Sequence, residues 1–518
     1  MRRILYTGLI FIFLLLSACE LKDPSLNETN TLQNHGQNEP VIVKDTVFGF
    51  AYTDEAKMNP LTTKNKINLE LFGLVYEGLF EIDEKFEPVN ILCSDYEING
   101  NTYRFKLKDG VTFSDGSPLR ASDVVFSLRL AMQPESYYAS RLTNIANIKA
   151  DGSTAVLVTV NRYTGNLPRL LDVPIIKSGS DASEIALGTG GYVLTTNERG
   201  EYQLIAREGW HMGKSLPYSR IELTKAASAD ELVFAFESRD IDVLSVDPTS
   251  SDALQFRGEY EQREYQTTIF QYLGFNMSKP ALKDALVRRA IARAIDRDAT
   301  VSQDFAQLAD VTCLPMHPDS PAYDTESADK LSFSLENSLS LLISAGYSDS
   351  DGDGKLENQS GGELSLRLLV NSDNKSRVAL AQRICTDLAK IGVTASVDEK
   401  AWEDYLSALY AGNFDLYLAE VNLSADFDVS RLIRTGGALN YGRYSSTDTD
   451  ACLDAFNAAT LRKSDEALRF YNNFVLQVPI VPISFKKHSH MTHLGAFENI
   501  SFTQRNIFYR FYNWRPVR

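Results

Sequence analysis

The chain is 518 residues long and carries 68 acidic against 52 basic side chains, a net charge of −16 with histidine neutral. Nucleic acid and anionic membrane surfaces are poor partners for such a chain, because both are recognised through a basic footprint. The length is too great for one hydrophobic core and predicts two or three domains.

Arg2 and Arg3 precede an apolar stretch, residues 4–16, that runs into Leu16-Ser17-Ala18-Cys19. This stretch falls short of the roughly 20 residues that cross hydrocarbon, so residues 1–18 read as a secretory signal peptide. Cys19 after Leu-Ser-Ala resembles the bacterial lipobox. That resemblance implies that Cys19 takes a diacylglycerol and becomes the mature N-terminus; an ordinary signal peptide with a chance cysteine is the alternative. Residues 20–40 are rich in Asn and Gln and lack apolar periodicity, so they read as a tether. Fully extended, it would reach roughly 70 Å. Without Arg2 and Arg3 the net charge is near −18. No second transmembrane run follows, and the body is expected to be soluble. Cys93, Cys313, Cys385 and Cys452 are scattered, with no CxxC pair, and suit two disulfides or buried free thiols equally well.

In chain order, residues 47–51 predict a first strand, and Asn68 predicts the cap of a helix with Phe72, Val75, Tyr76 and Leu79 on one face. Tyr103, Phe105 and Leu107 alternate with Arg104, Lys106 and Lys108, the period of a half-buried strand. Asp109-Gly110 and Asp115-Gly116 are turns, and a helix carrying Asp123, Val124, Val125, Phe126 and Leu128 follows Pro118. Val156, Val158 and Val160 predict another strand. Gly188-Thr189-Gly190-Gly191-Tyr192 lacks the spacing of a dinucleotide or Walker loop and reads as a structural turn. After a strand at residues 271–276, Asp284 predicts the cap of a helix with Val287, Ala290, Ile291, Ala294 and Ile295 inward. Arg288, Arg289, Arg293 and Arg297 are expected mostly on its solvated face.

Asp349, Asp351 and Asp353 with Gly354 imitate the first half of a calcium loop, but Ser360 stands where the bidentate glutamate belongs, so a solvated turn is the preferred reading. Leu364, Leu366, Leu368 and Val370 predict a strand, followed by a helix through Leu388, a strand at 393–397 and a helix opening at Trp402, an order that implies parallel pairing. His488 and His490 would share a face of a strand. That geometry permits a metal, though exposed strand histidines are the preferred reading.

Residues 75–83 (VYEGLFEID), the block from Tyr103 to Leu128, and the block QYLGFNMSKPALKDALVRRAIARAIDRD together resemble the extracellular solute-binding proteins, family 5. These are the oligopeptide-, dipeptide- and nickel-binding receptors of bacterial ABC importers. The resemblance implies an α/β, periplasmic-binding-protein type II-like fold, two main lobes around a ligand cleft plus an extra inserted lobe. Lobe I would comprise 41–71, 186–268 and 480–518, lobe II 72–185 and lobe III 269–479. It also implies an aspartate for the peptide ammonium. The matching stretch, Ser424-Ala425-Asp426-Phe427-Asp428, offers Asp426 first and Asp428 second, although both could instead cap the next turn. Trp402, Tyr272, Asn440 and Glu420 are further candidates for the cleft.

No GxSxG, HExxH or Cys-His arrangement is present, so no enzyme activity, cofactor or catalytic residue is expected. The resemblance implies a receptor anchored in the cell membrane by lipid and facing the periplasm or cell exterior. It would capture short peptides for a membrane permease and ATPase. Receptors for nickel complexes or another small solute, and a peptide-sensing surface lipoprotein, are the alternatives.

Overall fold

Two long antiparallel strands, Tyr260–Phe275 and Ile480–His493, connect the packed regions of the molecule. The computed structural model describes residues 47–250, 254 and 256–517; the signal-peptide segment, Cys19 and the 20–40 tether lie outside the described residues. The pairing of the two strands shifts register between Gln266 and Phe270 and again between Gln271 and Tyr272. Such shifts unpair backbone groups locally and increase twist. Beyond them Phe270, Leu273 and Phe275 join Val481, Ile483 and Phe485 in one large core. At the other end Met491 packs with Ala51, Phe236, Leu244 and Val246 in a smaller core. The strand Ile480–His493 therefore starts in one core and ends in another.

The sheet of the first core has the order Val243–Val246, Ile480–His493, Tyr260–Phe275, Leu416–Asn422, Ser365–Asn371, Thr394–Lys400, with Ala309–Val311 also paired to Ile480–His493. Ser365–Asn371 is parallel to both its neighbours, as the strand–helix–strand order implies, and the crossovers are the helices Lys375–Ala389 and Trp402–Ala411. Asp284 caps the helix Ala285–Ala294, its Oδ1 accepting from Leu286 N at 2.8 Å. The expected solvated arginine face is corrected at two positions: Arg288 and Arg297 are buried. Arg288 Nε donates to Gln477 O (3.0 Å) and Val478 O (3.1 Å), and Arg297 Nε donates to Pro482 O (2.8 Å). Both guanidiniums satisfy carbonyls at the start of the crossing strand, which pattern alone cannot reveal.

A second large core lies under two four-stranded sheets. One has the order Phe48–Tyr52, Arg220–Lys225, Tyr202–Ala206, Tyr192–Thr196; the other is antiparallel, Cys93–Asn99, Thr102–Leu107, Ala155–Val160, Ile145–Asp151. Tyr103, Phe105 and Leu107 are buried and Lys106 is exposed, as the alternation requires. The C-terminal segment closes this core: the Phe48 ring lies 5.8 Å from Phe497 and 5.4 Å from Phe511.

The first helix departs from expectation. It spans Lys66–Phe72, and Asn65, not Asn68, caps it by accepting from Asn68 N at 3.2 Å. Asn68 lies inside the helix, where its amide holds the Thr53 backbone at 2.9 and 2.8 Å. The helix stops at Gly73, where an added Cβ would meet Asn506 Oδ1 at 2.6 Å. The following loop still buries Val75, Tyr76 and Leu79. That loop explains the glycine-rich turn, because a Cβ on Gly188 would stand 2.3 Å from Val75 O.

Candidate ligand cleft

The strand Leu416–Asn422 leaves the large sheet and delivers the chain to a loop centred on Phe427, which is fully buried with φ 53°. Its ring lies 5.1 Å from Phe86 and 5.7 Å from Phe485, edge-on to both. With Phe427 pinned in the core, its neighbours Asp426 and Asp428 line a cavity of about 920 Å³. Across it stand Tyr137, Arg141, Arg162 and Asn166, with Arg505 from the C-terminal segment completing the wall. This volume is at the upper end of the range of small-molecule sites, about 300–1,000 Å³.

The two walls touch beside the cavity. Asn166 Nδ2 donates to Ala459 O (3.0 Å), Leu461 N donates to Asn166 Oδ1 (2.8 Å), and Gly165 N donates to Ala458 O (3.1 Å).

Asp426 and Asp428 have different surroundings. Asp428 Oδ1 accepts from Ser430 N (2.8 Å), Ser430 Oγ (2.5 Å) and Asn457 Nδ2 (2.8 Å), so it organises the turn into the helix Ser430–Ile433. Asp426 Oδ1 accepts from Ser424 Oγ (2.6 Å) and weakly from Asp428 N (3.3 Å). Among the described residues no cationic side chain comes within ion-pairing distance of Asp426. Burial, reinforced by the Asp428 carboxylate, pushes its carboxyl up to about 6.

The other four candidates do not line this cavity. Tyr272 is buried in the large core, stacked 5.6 Å from Phe270. Trp402 opens its helix half-exposed, its ring 5.7 Å from Tyr405. Asn440 staples its own loop, donating to Arg434 O (2.9 Å) and Tyr444 O (2.8 Å) and accepting from Tyr444 N (2.9 Å). Glu420 belongs to a charge network on the crossing strands: it meets Lys486 Nζ at 3.0 Å and Arg377 Nη2 at 3.1 Å, and Lys486 also reaches Asp247 at 3.2 Å. The wall residues Arg141, Arg162, Asn166 and Arg505 escaped sequence reasoning, because they lie in or beside irregular segments that carry no periodic signal.

The histidines correct the expectation of exposure. His488, His490 and His493 are all buried, in different surroundings. His488 faces Asp247 at 3.8 Å, His490 stacks on Phe502 at 4.3 Å, and His493 contacts Ile241 O at 3.1 Å. Burial pulls His488 down to about 4 and His490 to about 3. Among the described residues, the grouping of metal-type side chains is Asp349, Asp351, Asp353 and Glu357, whose ligand atoms lie within 4.8 Å of one another. Asp349 already accepts from Gly352 N (2.7 Å) and Gly354 N (3.0 Å), and Lys355 pairs with Asp353 at 3.4 Å. Cys93, Cys313, Cys385 and Cys452 are free thiols. No helix of the described residues is long and apolar enough to cross a membrane.

The oligopeptide-binding protein AppA of Bacillus subtilis is 24% identical over 535 residues, covering 98% of this chain and 97% of its own. The structure of B. subtilis AppA in complex with a nonapeptide matches with a TM-score of 0.62 at 20% identity, over 92% of this chain and 99% of that one. NikZ of Campylobacter jejuni in complex with Ni(L-His) matches with a TM-score of 0.64 at 21% identity, over 92% and 100%. The fold is accordingly the type II-like α/β binding-protein fold with an extra lobe. The family model for bacterial extracellular solute-binding proteins, family 5 (middle), matches residues 87–440, through the first wall of the cavity and the aspartate loop of the second. The chain belongs to the bacterial extracellular solute-binding proteins, family 5.

Proposed function

We propose that this protein is a receptor, anchored to the cell membrane through a lipid on Cys19, that captures short peptides outside the cytoplasm and hands them to a membrane permease and its ATPase. It binds without bond chemistry, in a cleft between lobe I (41–71, 186–268, 480–518) with its inserted lobe II (72–185) and lobe III (269–479). Asp426 carries this reading. A carboxylate that lines a cavity without a cationic partner is suited to the ammonium of a peptide, which must exchange its water for a fixed opposite charge on enclosure. The name of the similar AppA, an oligopeptide-binding protein, supports the same class of solute.

A receptor for a nickel complex is the second reading, favoured by the likeness to NikZ. It is the weaker of the two because no histidine among the described residues lines the cavity. Mass spectrometry of solute retained through native purification tests both: short peptides are expected, and a metal complex without peptide would replace the first reading with the second. Cys19→Ser should move the protein from the membrane fraction to the soluble fraction.

A further inference from the structure

A second cavity, of about 380 Å³, lies where the C-terminal segment meets the ribbon of strands Phe80–Ile82 and Pro88–Asn90. Arg505 lines both cavities, and they share no other lining residue. The volume falls within the range of small-molecule sites, about 300–1,000 Å³. Phe80 and Ile82 are buried, so the alternation of the strand turns Glu81 to the opposite face, towards the C-terminal segment. There Asn506 Nδ2 donates to Glu81 Oε1 at 2.7 Å. Among the described residues no lysine, arginine or histidine side chain is within ion-pairing distance of Glu81. Burial, reinforced by the Glu77 and Asp172 carboxylates and only partly offset by Asn506 and Arg510, pushes its carboxyl up to about 7. The other two carboxylates that line the cavity are already engaged. Glu77 accepts from Trp210 Nε1 (3.1 Å) and Thr189 Oγ1 (2.8 Å) and meets His211 Nε2 at 2.8 Å, while Asp172 pairs with Arg141 at 2.8 Å.

The wall beside Glu81 is aromatic. Tyr509 is buried, the Tyr512 ring lies 6.0 Å from Trp210, and all three rings line the cavity. Burial raises the hydroxyls of Tyr509 and Tyr512, and the Glu81 charge adds to both, which sets the carboxylate next to these rings. Cations already use the same rings: the Arg510 guanidinium lies 4.9 Å from the centre of Tyr509, and Lys214 Nζ lies 5.8 Å from that of Tyr512. Both cations are exposed, so water compensates them and Glu81 keeps its need for a counter-charge. The negative faces of aromatic rings attract ammonium groups, and an adjoining carboxylate adds a charge-assisted hydrogen bond.

We propose that this second cavity binds a small organic ammonium, its nitrogen on Glu81 and its apolar body against Trp210, Tyr509 and Tyr512. The site does not depend on the peptide reading above, because Glu81 and Asp426 line different cavities. A neutral or anionic analogue of the same shape leaves Glu81 without a counter-charge and is rejected.

The test compares 2-phenylethylamine with 2-phenylethanol and phenylacetate on the unmodified protein. Binding is read by calorimetry and by the change in tryptophan fluorescence. The amine should bind roughly ten- to a hundredfold more tightly than the alcohol, the range for a hydrogen bond to a charged group, and phenylacetate more weakly still. Glu81→Gln should bring the amine down to the level of the alcohol. Asp426→Asn controls for an ammonium captured in the first cavity and should leave the affinity for the amine unchanged. Because the amine–alcohol comparison needs no variant, a folding defect in one cannot obscure the result. Equal binding of amine and alcohol, or no binding of the amine, overturns the site. Amine binding that is lost in Asp426→Asn and kept in Glu81→Gln overturns it as well, and assigns the amine to the first cavity.

Discussion

Two charge clusters in this molecule, each largely shielded from water, are built differently. On the crossing strands, Asp247 and Glu420 are matched by Lys486 and Arg377 through contacts of 3.0–3.2 Å, two acids to two bases. Around the cavity, Asp426 has no base and Arg141 and Arg505 share one acid. The first cluster is complete within the protein and ties Leu416–Asn422 to Ile480–His493 and to the turn after Val243–Val246. The second leaves Asp426 without a base, a cost that the folded chain carries as a raised carboxyl pKa. The contrast separates charge that holds the scaffold from charge that, in the proposed function, a solute would meet.

Breaking the complete cluster should have the largest effect. Lys486→Met leaves the half-buried carboxylates of Asp247 and Glu420 without their shared buried base, and should lower unfolding free energy by about 2–3 kcal/mol. Urea denaturation of the ligand-free protein measures it. A loss below about 1 kcal/mol would mean that the network is solvated and the contrast false.

Asp426→Asn should act on binding instead. With a free peptide it should cost two or more decades in affinity, about 3 kcal/mol, without destabilising the empty protein. Asp428→Asn replaces the charged turn-forming acceptor by a neutral carbonyl oxygen and should cost less than a decade in affinity and about 1 kcal/mol in stability. Equal affinity losses at the two positions would erase the distinction between them.

The pH dependence sharpens the same point. Asp426 holds its proton up to about 6 in the folded chain, against an ordinary value near 3.9 when unfolded. The folded state therefore binds this proton more tightly, and the empty protein gains stability from this group as pH falls from about 7 towards 4. Above pH 6 Asp426→Asn should be the more stable protein, by on the order of 2 kcal/mol, and the difference should vanish by about pH 4. Since His488 and His490 are common to both proteins, the difference isolates Asp426. A gap that does not vary with pH would refute the assignment.

Trp402→Ala should have the smallest effect, within about 0.5 kcal/mol in stability and about twofold in affinity, because the ring is 48% exposed and packs on Tyr405. A large loss of affinity would extend the ligand site well beyond the described cavity.

The sequence disclosed whatever depends on local period and on family pattern. The alternation at Tyr103, Phe105 and Leu107 and the parallel strand–helix–strand run from Ser365 were legible because neighbours in the chain carry the signal; Asp426 lines a cavity, while its role stays a proposal. The first helix was misplaced because Asn65 and Asn68 are chemically equivalent caps, and only the tertiary contact to Thr53 withdraws Asn68. Arg288 and Arg297 were misread because their carbonyl partners belong to distant segments. Arg141 and Arg505 were invisible for the same reason. They come from far apart in the chain and are brought together at Asp172. Tyr272, Glu420, Trp402 and Asn440 do not line the cavity of Asp426, and a sequence cannot say which way a side chain faces.

The left-handed backbone at Phe427 has a thermodynamic consequence. Holding a non-glycine residue there costs on the order of 1 kcal/mol, offset by the full burial of its ring among Phe86, His317 and Phe485. Ordering of the aspartate loop is thus completed when the chain folds rather than when a solute arrives. If the proposed ammonium contact forms, Asp426 is already immobilised when it does, and the entropy loss that a mobile loop would impose, about 0.5–1.5 kcal/mol for each side chain fixed, is absent from the binding free energy.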